Sequence, residues 1–122
     1  MLDRGTSRVL TNLFRPFRLG RLELRNRLVM PSMVTFLASD SGAVTRRMID
    51  YYAERAGGGV GLVNVESAYV LEEDRDLGRL GIENPRLRVG LAELAEAIQE
   101  QGARAFLQVN HRGSVLGIHR GK

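Results

Sequence analysis

The residues best suited to chemistry stand at the ends of two apolar runs. Ala105-Phe106-Leu107 leads into Gln108-Val109-Asn110-His111, and Leu62-Val63-Asn64-Val65 leads into Glu66-Ser67. Short apolar runs of this kind read as strands buried on both faces. The polar residues that follow then lie at strand tips, where open α/β sheets bind their ligands. Gln108 carries a neutral amide, which offers a donor and an acceptor together and suits a ligand edge of alternating N–H and C=O groups. His111 has the chemistry of an acid or base, but a lone histidine after a strand reads first as a structural hydrogen-bonding residue. His119 carries no pattern. Glu66, a carboxylate within an apolar run, reads as a partner in a structural hydrogen bond or ion pair ahead of a proton-transfer group.

The elements that must position these tips are legible as periodicities. Around Leu19-Gly20-Arg21, apolar and Arg residues alternate, which predicts a hairpin turning at Gly20. Residues 27–30, Arg-Leu-Val-Met, form a brief strand broken at Pro31. Thr45 is the expected N-cap of a helix that carries Met48, Ile49, Tyr52, Ala53 and Ala56 on one face and stops at Gly57-Gly58-Gly59. Tyr52 is then a core residue. The glycine run is no phosphate cradle, because it ends a helix and enters a strand, the reverse of a dinucleotide-binding turn. Residues 60–67 make the next strand. Asn84 and Pro85 are the expected N-cap and first position of a second helix with an apolar stripe of Leu87, Leu91, Leu94 and Ile98, stopped at Gly102. Residues 103–110 make the third strand, and residues 1–11 read as a flexible tail. Strands alternating with helices imply a parallel sheet with right-handed crossovers.

Composition narrows the function classes. Hydrophobic residues at 43% and charged residues at 26% describe an ordinary globular chain. With no cysteine, disulfides, thiolate metal sites and a cysteine nucleophile are excluded. The apolar runs fall short of the roughly 20 residues of a membrane span, and the start lacks an apolar leader core, so a cytoplasmic location without a membrane partner is expected. The net charge of +4 rests almost wholly on Arg, since Lys122 is the lone lysine. Arg4, Arg8, Arg15, Arg18, Arg21, Arg25 and Arg27 cluster near the start, but without the aromatic interleaving that stacks on bases. A solvated basic face is the simpler reading, and no nucleic-acid partner is expected.

Three stretches together carry a further signal: Leu13 to Met33 (LFRPFRLGRLELRNRLVMPSM), Thr45 to Val70 (TRRMIDYYAERAGGGVGLVNVESAYV) and Phe106 to Gly113 (FLQVNHRG). In order and spacing they resemble the N-terminal part of the Old Yellow Enzyme family, FMN-dependent oxidoreductases on a TIM barrel that include the 2,4-dienoyl-CoA reductases. The resemblance covers about residues 12–113. It implies an α/β fold class, a partial TIM (β/α)8 barrel in which residues 12–122 supply the hairpin, the first three barrel strands and two helices. It implies a flavin lying along Pro31, Ser32, Met33 and Val34 at the first strand tip, Ser67 near the O4/N5 edge, and Gln108 on the pyrimidine side of the ring. It also implies NAD(P)H as electron donor and reduction of an activated C=C bond, as in an enone or enoyl-CoA thioester. The chain departs from the family at Ser32, where many members have Pro, and at Val34, where Thr, Cys or His is common and a valine donates no hydrogen bond. Arg112 replaces a small residue after the third strand.

A complete barrel takes about 250 residues. The family's substrate-anchoring pair, flavin-contacting Arg and phosphate site are therefore expected beyond residue 122, and no catalytic residue or metal ligand is assigned within the chain. A complementary polypeptide carrying the rest of the barrel is the expected partner. The alternative is a non-catalytic structural or regulatory half-barrel that associates with a full-length or complementary relative.

Overall fold

The structure, a computed structural model, describes residues 11–113. The tail reading over residues 1–10 and the reading of His119 lie outside the described residues, and Thr11 already belongs to a helical turn over residues 11–13. Strands β1 (Phe17–Leu19) and β2 (Leu22–Leu24) form the expected antiparallel hairpin, with Phe17 opposite Leu24 and Leu19 opposite Leu22. Gly20 takes φ 60° in the two-residue turn, a left-handed conformation that a residue without Cβ adopts freely.

The main sheet runs β3 (Val29–Met30), β4 (Leu62–Tyr69) and β5 (Arg104–Asn110), all parallel and in sequential order. The crossovers are helices α1 (Arg46–Gly57) and α2 (Arg88–Glu100). Met48, Tyr52 and Ala56 of α1 and Leu94 and Ile98 of α2 pack on Val63, Val65 and Ala68 of β4 to form the core. β4 is buried along nearly all its length, whereas β5 alternates between half-buried and exposed residues because one of its faces lies open.

Three boundaries differ from the sequence reading. β3 contains only Val29–Met30, because Arg27 and Leu28 are committed to local contacts. Arg27 donates its N–H to Leu13 O (2.9 Å), and Leu28 N–H goes to Asn26 Oδ1 (3.0 Å). β4 begins at Leu62 and continues to Tyr69, since pairing with Val109 and Asn110 carries the ladder two residues past Ser67. Asn84 and Pro85 start a 3₁₀ turn (Pro85–Leu87), with Arg86 N–H donated to Asn84 Oδ1 at 3.0 Å, and α2 begins only at Arg88. The start of α1 is as expected, Met48 N–H donating to Thr45 Oγ1 at 3.2 Å.

Two polar clusters set how these elements meet. At the N-terminal end of the sheet, Arg25 donates to Ala56 O (2.6 Å), Val60 O (2.8 Å) and Gln101 O (2.8 Å), joining the ends of both helices. Ala56 O, which also accepts from Gly59 N–H, and Gln101 O lie at the ends of α1 and α2, so the cation meets the negative ends of the helix dipoles. Asn26 adds a bond from Nδ2 to Gly59 O at 2.6 Å. At the opposite end, the fully buried Glu66 links three elements. Its Oε2 accepts from Thr35 N (3.0 Å), Thr35 Oγ1 (2.5 Å) and Tyr52 Oη (3.2 Å), while Glu66 N donates to Tyr52 Oη (2.9 Å). Glu66 thus has the structural role its sequence context suggests.

Burial pushes the Tyr52 phenol well above its ordinary range. The bond from Glu66 N–H offsets part of that rise, and the negative Glu66 carboxylate adds to it. Tyr69 is raised in the same direction, by burial first and then by Glu83.

Two outcomes are expected. Arg25→Ala removes the shared acceptor contacts and lowers stability by about 1–2 kcal/mol, measurable by urea unfolding; an unchanged midpoint would show that the helix ends are held by other means. A phenol raised in the folded state contributes stability that is intact below the unfolded value near pH 10 and is lost as pH climbs towards the folded value. Stability therefore falls above about pH 10, and native tyrosinate absorbance at that pH stays below the value in denaturant. Equal native and denatured titration curves would refute this account of Tyr52 and Tyr69.

Candidate functional site

The C-terminal tips of the three parallel strands face one open side. Pro31 ends β3 and turns the chain over the tip of β4, which brings Ser32 Oγ within 3.0 Å of Val65 O and 2.7 Å of Gln108 Oε1. The strand register shifts between Val65 and Ser67, leaving Glu66 as the extra residue of a bulge and setting Ser67 opposite Gln108. Paired residues on neighbouring strands point to the same face. Ser67 and Gln108 therefore share a face only because of this bulge, a device that commonly re-aims side chains next to ligand sites.

The structure thus brings together Ser32, Ser67 and Gln108, which lie far apart in sequence. Pro31 and Met33 are exposed and Val34 is half-buried, all three on the segment that leaves β3. The hydroxyl of Thr35, next to Val34, is committed to Glu66. Ser32 has one hydroxyl proton and two oxygens within reach. Both contacts are satisfied together when the Gln108 amide presents Nε2 to Ser32, while the other rotamer makes Ser32 the donor to Oε1. Either way the exposed amide keeps donor and acceptor capacity on its open side. The arrangement suits the edge of a flat heterocycle and supplies no nucleophile or base.

Several contributors were not readable from the sequence. Arg79, in the charged loop after β4, donates from Nη2 to Ser67 Oγ at 2.7 Å. No periodicity marks it, because a loop side chain's direction is set by where the loop docks. Phe36, 64% exposed, holds φ 57°, a left-handed conformation that is costly for a bulky residue and that clusters near functional sites. His111 is exposed, its Nδ1 accepting from Gly113 N at 2.9 Å, in keeping with a structural role. Arg112 joins the loop after β5 to the loop after β4. Its N–H donates to Asp74 Oδ2 and its Nη2 to Asp76 Oδ2, each at 3.3 Å. A cleft of about 710 Å³ lies elsewhere, lined by Val70, Glu72, Arg75, Glu83 and Arg86, and touches none of the strand-tip residues. The strand-tip face is an open wall rather than a cavity, because no described residue stands opposite it.

Known proteins resemble this chain in sequence and fold. The NADH oxidase of Thermoanaerobacter brockii is 43% identical over 104 residues, which cover 84% of this chain and 16% of that protein. The NADH:fumarate oxidoreductase of Klebsiella pneumoniae is 39% identical over 108 residues, covering 85% of this chain and 11% of that one. The chain thus spans less than a fifth of the length of either curated relative. Among solved structures, the old yellow enzyme from Trypanosoma cruzi superposes with a TM-score of 0.77 at 31% identity, over 86% of this chain and 28% of that one. The neighbours are TIM-barrel enzymes, and the sheet and two helices seen here are a part of that barrel. The family model for the NADH:flavin oxidoreductase / NADH oxidase family matches residues 12–119, and with the fold and strand-tip geometry above, the chain belongs to that family.

Proposed function

We propose that this chain forms one wall of the FMN site in an oxidoreductase that takes hydride from NAD(P)H and reduces an activated C=C bond, with a complementary polypeptide supplying the remaining barrel strands. The observation that carries the reading is the meeting of Ser32 and Gln108 at 2.7 Å, with Ser67 in register beside them. The donor set fits the group. Gln108 presents an amide to the alternating N–H and C=O edge of the ring, while Ser32 fixes where that amide points. Pro31, Met33 and Val34 offer backbone and apolar surface along the ring, and Ser67, 9% exposed, lies at the rim of the same face.

FMN, when bound, supplies hydride transfer between the nicotinamide and the β-carbon of the substrate. The part of this chain is to bind and orient. Its strand tips hold the ring edge through neutral hydrogen bonds, and the packed sheet behind them keeps those groups from shifting. The acceptor named for the Klebsiella relative, fumarate, has a C=C bond activated by carboxyl groups and supports the substrate class. The open barrel supports a complementary polypeptide. Among the described residues β3 and β5 each have an unpaired edge, and Val29 (52%), Phe106 (44%) and Val109 (62%) are exposed apolar residues on those strands.

The first test is native mass spectrometry of the protein from its own source. A species holding a second polypeptide and one FMN is the expected result, whereas a flavin-free monomer or homo-oligomer would leave a non-catalytic half-barrel. In the flavin-loaded complex, Gln108→Ala removes one or two hydrogen bonds to the ring and should weaken FMN binding by about tenfold or more. Full retention of flavin and rate would remove Gln108 from the site.

A further inference from the structure

Arg79 is a cation without an anionic partner among the described residues. Arg112, the other half-buried arginine among the described residues, has Asp76 at 3.3 Å, whereas Arg79 has only Ser67 Oγ. Its place is fixed by an ordered loop. Arg79 N donates to Asp76 O at 3.2 Å, the next residue, Leu80, is fully buried, and Leu80 O accepts from Tyr69 N at 3.0 Å at the end of β4. A half-buried guanidinium held in this way and left without a counter-charge is poorly explained as a brace, since an uncharged side chain would fill the same position without the desolvation cost.

The consequence falls on Ser67. A guanidinium only donates, so Ser67 Oγ must accept from it, and the single hydroxyl proton is left for another acceptor. Among the described residues no bond uses that proton. Ser67 shares its face with Gln108 through the bulge at Glu66. Its hydroxyl is therefore a donor made stronger by a permanent charge one bond away.

Resting on the proposed FMN site, we infer that Arg79 is a positioning residue that locks Ser67 as a hydrogen-bond donor to the flavin ring and biases the site towards the electron-rich reduced flavin. Nothing in the flavin need contact Arg79 itself. The charge acts through the Ser67 hydroxyl, in a site where fixed dipoles and charges weigh more than they do in water.

The test is spectroelectrochemical titration of the flavin in the assembled complex, with Arg79→Gln, Arg79→Lys and Ser67→Ala. Arg79→Gln should lower the midpoint potential and shift the flavin absorbance maximum, with the affinity for reduced over oxidised FMN falling about tenfold. Arg79→Lys should restore much of the potential. In a Ser67→Ala background Arg79→Gln should have little further effect. An unchanged potential and spectrum in Arg79→Gln, with flavin retained, would overturn the inference and leave the FMN site standing. Fully additive shifts from Arg79→Gln and Ser67→Ala would also overturn it, by showing that the charge does not act through Ser67. A wild-type complex without flavin would bring down the FMN site and the inference together.

Discussion

The buried carboxylate of Glu66 is the constraint on which the strand tips depend. A carboxylate removed from water needs its lone pairs engaged, and here the chain after β3 and the middle of α1 both supply donors to Oε2, while Oε1 has no partner among the described residues. The residue that needs them is also the extra residue of the β4 bulge. Engaging Glu66 Oε2 and holding the register irregularity are therefore linked. With a regular ladder Glu66 would stand opposite Gln108, and Ser67 would turn to the other face.

A second polar cluster does comparable work at the far end of the sheet. Both crossover helices end near the hairpin, where carbonyls at their last turns lie within reach of one side chain. Arg25 collects acceptors from Ala56, Val60 and Gln101, so one side chain ties the hairpin to the ends of α1 and α2. Between the two clusters lies an ordinary apolar core of helix stripe on strand. The division matches the family's architecture: one end of the sheet is closed and braced, and the other carries side chains free to meet a ligand.

The face left open explains the character of the site. Ser32, Ser67 and Gln108 are neutral; Ser32 is held by Val65 O and Gln108, and Ser67 by Arg79. In the proposed FMN site, neutral hydrogen-bonding groups would grip the ring edge without adding a base that competes for protons. The inferred role of Arg79 is to tune how strongly one of them donates. On the proposed reading, proton transfer and substrate anchoring fall to the part of the barrel opposite this wall.

The sequence by itself determined the element order, the two amphipathic helices, the turn at Gly20 and the buried central strand, because these follow from local periodicity and turn chemistry. It also determined the family, since the motif segments keep their spacing, and it marked Gln108 and Ser67 as residues at strand tips. The tertiary structure decided what those residues face. The bulge at Glu66 is invisible in a run of apolar residues, because it exists only in the pairing of two strands forty residues apart. The start of α2 at Arg88 and the end of β4 at Tyr69 likewise depend on partners, the first on a 3₁₀ turn capped by Asn84 and the second on pairing with β5. Arg25 and Arg79 read as two more members of an Arg-rich composition. Their roles arise from acceptors that folding brings to them, and no local pattern encodes a contact made across the fold.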